Sequence, residues 1–109
     1  MRRVGRTDDN HTDIKRALHR AYCTVADTSR LGGGFPDLVV WSPHTKRNHL
    51  LEIKDGSKSP SRRKLTPMED TFHMRWPGDC HVVSTEAEAL KAVGVADKGQ
   101  SDGRTNREK

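Results

Sequence analysis

The sequence predicts one α/β domain with helices flanking a β-sheet, in the order αβββαβα. Three observations carry that expectation. Two short apolar runs, Leu38-Val39-Val40-Trp41 and Asn48 to Lys54, lie between Gly/Pro-rich punctuation, as buried strands do. Ile14, Ala17, Leu18 and Ala21 recur at helical spacing. Thr66-Pro67-Met68-Glu69 combines a capping box with proline at its favoured first helical position.

The elements follow in chain order. Asn10 or Thr12 caps a first helix running through Tyr22. Cys23 to Thr28 is a first strand, rich in β-branched residues. Gly32-Gly33-Gly34 is a joint able to take backbone angles that other residues avoid. Pro36 has no N–H to give a ladder, so it stands just before the second strand, and Ser42-Pro43-His44 turns the chain into the third. A polar loop, Asp55 to Lys64, leads to the capped helix, which Pro77-Gly78 stops. Cys80 to Ser84 is a fourth strand, and Thr85 with Glu88 caps a last helix reaching Val93. Residues 1–9 read as a flexible basic N-terminus, 10–93 as the folded domain, and 94–109 as a disordered polar tail.

Composition sets bounds on function. Of 109 residues, 31% are hydrophobic and 32% charged, so the core is thin and a partner subunit is a reasonable source of burial. A formal charge of +5 and an isoelectric point near 9.6 suit a polyanionic partner. Cys23 and Cys80 show no metal spacing and read as reduced thiols of an intracellular protein. No apolar run is long enough to span a membrane, and no signal-peptide core follows Met1-Arg2-Arg3, so a cytoplasmic location is expected. His44, His49, His73 and His81 have no partner at HxxxH or HxH spacing, which argues against a zinc hydrolase. Neither a Ser/His/Asp signature nor a phosphate loop ending in GK[ST] is present, and no small-molecule cofactor is expected.

Chemistry concentrates on the two central strands. Side chains alternate faces along a strand, so Asp37, Val39 and Trp41 share one face, as do Leu50, Glu52 and Lys54. Pairing of the two strands brings two carboxylates and an ammonium to one spot. Neighbouring carboxylates repel unless a cation lies between them, and their hard oxygens suit Mg²⁺. A metal with a lysine beside it is equipment for attacking a phosphodiester.

Pro36, Asp37, Glu52, Ile53 and Lys54 match the PD-(D/E)XK nuclease motif. With Gly32-Gly33-Gly34-Phe35 before it, Asp55-Gly56-Ser57-Lys58 after it and Lys64-Leu65-Thr66-Pro67 further on, the region from Asp9 to Leu90 resembles the stand-alone, phage-type virus-type replication-repair nucleases, VRR-NUC. The resemblance implies a restriction-endonuclease-like core with a mixed sheet, Mg²⁺ or Mn²⁺ as cofactor, branched or structured DNA as substrate, and a homodimer. It implies that Asp37 and Glu52 hold the metal together with the backbone carbonyl of Ile53, and that Lys54 assists the attacking water. An acidic residue on the first helix near the metal corresponds to Asp13, and a polar residue on the helix after the lysine strand to Glu69, although the capping box accounts for Glu69 without a site role. His11 is a further candidate DNA contact. Lys58, Arg62, Arg63 and Lys64 are candidates for phosphate contacts, which position a duplex without reading its sequence. Two rival readings stand beside the nuclease: a basic DNA-binding module with a vestigial motif, and a nuclease directed at RNA.

Overall fold

The computed structural model describes residues 9–55 and 64–95. Its elements are α1 (Asp9–Arg20), β1 (Thr24–Asp27), β2 (Leu38–Ser42), β3 (Arg47–Ile53), α2 (Pro67–Arg75), β4 (Cys80–Val83) and α3 (Glu86–Ala92). The order is αβββαβα, as the sequence predicts. The strands lie β1-β2-β3-β4 in one sheet. β1 and β3 each run antiparallel to β2, while β4 runs parallel to β3, so the sheet is mixed. A parallel pair needs a crossover, and the segment containing α2 provides it.

Alternation along the strands sorts the side chains into two layers. Leu38, Val40, Leu51 and Val83 face one way and form the core with Ile14 and Leu18 of α1 and Ala89 and Val93 at α3. The amphipathic spacing of α1 therefore covers this face. α2 lies across the other face and contributes no buried residue. Phe35 supports it from the glycine loop, its ring meeting Phe72 edge-on at 5.2 Å. Val95 still packs against the core, one residue beyond Gly94, which turns the chain at φ +89°.

Polar ties fix the ends of these layers. The buried Ser42 hydroxyl donates to the Val93 carbonyl at 2.6 Å, joining the β2–β3 hairpin to α3. The Thr66 hydroxyl accepts from the Glu69 N–H, and the Glu69 carboxylate accepts from the Thr66 N–H, closing the expected capping box. All three residues of Gly32-Gly33-Gly34 have positive φ. At Gly34 a β-carbon would fall 2.5 Å from the Met68 carbonyl oxygen, so the bare backbone is what lets the loop lie against the first turn of α2.

Candidate active site

Antiparallel pairing sets Leu38 opposite Leu51, and one further step of that register sets Asp37 opposite Glu52. Both carboxylates project from the face away from α1, at the edge of the apolar runs that carry them. Asp37 Oδ2 accepts a hydrogen bond from the Ile53 N–H at 2.8 Å. Glu52 is 4% exposed, and its Oε1 has no hydrogen-bond partner. Burial, then the charges of Asp37 and Glu69, push the Glu52 carboxyl up to about 9, against the opposing pull of Lys54. A buried oxygen without a partner beside a second carboxylate is costly for the bare protein. It is the donor set that a hard divalent cation takes.

Lys54 follows Glu52 by two residues and shares its face. Its Nζ lies 3.7 Å from Glu52 Oε2 and donates to Glu69 Oε1 at 2.7 Å. Desolvation favours the neutral amine, but the bond to Glu69 and the charges of Glu69, Glu52 and Asp37 outweigh it and raise the Lys54 pKa. The ammonium therefore stays charged. Glu69 in turn is held low: burial opposes this, and its bonds from Lys54 and the Thr66 N–H prevail. One Glu69 oxygen thus closes the helix cap and holds the lysine at once. The capping signature in the sequence accounts for the first task and gave no sign that the second uses the same atom.

The remaining sequence candidates sit elsewhere. Asp13 lies on α1, which covers the opposite face, and its carboxylate pairs with Arg16 at 3.1 Å. His11 is 7% exposed, with Nε2 3.4 Å from Asp27 on the α1 side of the sheet. The structure does not bring either residue to the carboxylate pair. Lys64 is exposed just before α2, whereas Lys58, Arg62 and Arg63 fall outside the described residues. His49, Asp79 and His81 form a second cluster that linear spacing did not reveal, because its members come from two strands and the residue before one of them.

No family model matches the chain. It is 29% identical over 77 residues to human Fanconi-associated nuclease 1, covering 71% of this chain and 7% of the length of that protein. A solved VRR_NUC domain superposes with a TM-score of 0.55 at 20% identity, covering 77% of this chain and 94% of that domain. The chain has the fold of that VRR_NUC domain, a mixed four-stranded sheet with flanking helices.

Proposed function

We propose that this chain, whose fold is that of a VRR-NUC domain, is a metal-dependent endonuclease acting on branched or structured DNA. The carrying observation is the buried Glu52 oxygen without a partner, beside Asp37 and facing a charged lysine. Asp37 and Glu52 would hold Mg²⁺, or Mn²⁺ in its place. The Ile53 carbonyl leaves its strand on the same side as the N–H already bound to Asp37, so it suits a third oxygen ligand. When bound, the cation supplies Lewis acidity toward a water and the scissile phosphate.

The chain's own residues supply the rest. Lys54, its amine held by Glu69, would orient an attacking water and stabilise charge that develops on the phosphate. Glu69 is a positioning residue: its bond to Lys54 Nζ fixes the ammonium over the carboxylates. By analogy with the family, the products carry a 5′-phosphate and a 3′-hydroxyl. Lys58, Arg62, Arg63 and Lys64 precede α2 in the sequence and would supply phosphate contacts. Asp13 as a further metal ligand would have to leave Arg16.

A second copy of the chain is the partner that α2 invites. Met68 and Trp76 remain exposed along it, and a groove of about 450 Å³ runs between them beside Phe72. A two-fold homodimer built on this helix would present two sites to one branched substrate.

The test is a panel of linear, flap, splayed and four-way DNA substrates, with matched RNA, in Mg²⁺ and in EDTA. Cleavage of branched DNA should require the metal and vanish in Asp37→Ala, Glu52→Ala and Lys54→Ala, with binding kept in the last. Full activity in Glu52→Ala would remove the site assignment. Binding without cleavage by the unaltered chain would favour a binding module, and preference for RNA would redirect the substrate.

A further inference from the structure

On the opposite face of β3 from Glu52, and three residues earlier, His49 meets Asp79 and His81 of the β4 segment. One ligand atom from each of the three lies within 4.8 Å of the other two. His49 Nδ1 stands 3.6 Å from Asp79 Oδ2, and the two imidazole rings are 6.0 Å apart between centroids. His49 is 1% exposed and its Nδ1 has no hydrogen-bond partner; His81 Nε2 is likewise buried without one. Two buried ring nitrogens without partners, on histidines that share one carboxylate neighbour, call for a shared occupant.

From this geometry we propose that His49, Asp79 and His81 bind a divalent transition metal of the zinc class. Two nitrogens and one oxygen suit Zn²⁺, Co²⁺ or Ni²⁺ and not Mg²⁺, which takes oxygen ligands. Tetrahedral Zn²⁺, with bonds of about 2.0–2.2 Å, sets its ligand atoms roughly 3.3–3.6 Å apart. The His49–Asp79 pair already matches that spacing. His81 is half-buried and closes the remaining distance by turning its ring. Water fills the fourth position.

The surroundings support a ligand role for His49. Its Nε2 lies 2.6 Å from Thr45 Oγ1 in the hairpin turn. With Nε2–H donating to that hydroxyl, the Nδ1 lone pair points at the cluster, the arrangement by which outer partners orient metal-bound histidines. Arg47 Nε donates to Asp79 Oδ2 at 2.8 Å and is the competing cation, but its side chain is 60% exposed and such pairs are weak. The occupied site would fasten β3 to the end of the crossover entering β4, where the Leu50 N–H already bonds to the Asp79 carbonyl at 2.9 Å. It lies about 10 Å along the strand from Glu52. It is thus separate from the carboxylate pair and independent of the nuclease reading.

The full chain, stripped with a chelator, is titrated with Co²⁺ while visible absorption is followed, and thermal unfolding is measured with Zn²⁺ and with Mg²⁺ alone. One equivalent of Co²⁺ should give the tetrahedral spectrum. Zn²⁺, unlike Mg²⁺, should raise the unfolding temperature of the Asp37→Asn/Glu52→Gln double variant as much as that of the unaltered chain. His81→Ala should lose the spectrum, and Thr45→Val should weaken binding roughly tenfold. Asp79→Asn, nearly isosteric at the surface, gives the same readout if His81→Ala does not fold. Cobalt binding that survives both His81→Ala and Asp79→Asn, that disappears in the double variant, or that is absent from the unaltered chain overturns the proposal.

Discussion

Glu52→Gln isolates the cost of the carboxylate pair. In the metal-free protein Glu52 is buried beside Asp37, and its pKa is pushed from 4.5 up to about 9, first by burial and then by Asp37. The folded state therefore holds a proton that the unfolded chain releases above its ordinary carboxylate pKa. Stability must fall as pH rises through the window between those two values, and level off above it. At roughly 1.4 kcal/mol per unit of pKa difference, the loss reaches on the order of 3 kcal/mol by pH 7. Glutamine keeps the shape and cannot ionise, so in EDTA the variant should be more stable than the parent at pH 7–8 and similar near pH 4. Urea unfolding at several pH values measures both. Added Mg²⁺ should stabilise the parent and leave the variant nearly unchanged, since only a site that binds the folded state shifts the equilibrium. A variant less stable than its parent in EDTA at pH 8 would refute the reading of an uncompensated buried pair.

Three further outcomes are expected. Gly34→Ala forces a β-carbon 2.5 Å from the Met68 carbonyl at φ +85°, so it should cost roughly 1–3 kcal/mol and, by shifting α2 and Glu69, depress cleavage more than binding; denaturant melts and single-turnover cleavage check this. Removing Arg62 and Arg63 together should reduce the slope of log affinity against log salt by roughly 2, and an unchanged slope would place neither on the phosphates. Light scattering at micromolar concentration should give twice the 12.3 kDa chain mass, whereas a monomer would remove the α2 dimer.

Much of the fold was legible because its signals are local. The capping box at Thr66, the apolar spacing of α1, the strand punctuation at Pro36 and the helix stop at Pro77 each act over a few residues, and all seven elements appear in the expected order. The carboxylate pair was legible for a related reason: a period of two fixes which side chains share a face, and the short hairpin between β2 and β3 leaves one simple way to pair them.

Tertiary structure decided what depends on distance across the chain. That the Lys54 pKa is raised in spite of burial owes most to Glu69, fifteen residues on, reaching it across the crossover. Asp13 and His11 lie on α1, yet that helix covers the face away from Glu52, a choice made by the burial of Ile14 and Leu18 and not by the acid itself. The His49, Asp79 and His81 cluster has no linear signature at all, because parallel pairing of β3 with β4 is what carries residues thirty positions apart to one place. Backbone periodicity is written in neighbouring residues; the convergence of polar atoms is written in the packing that neighbours alone do not specify.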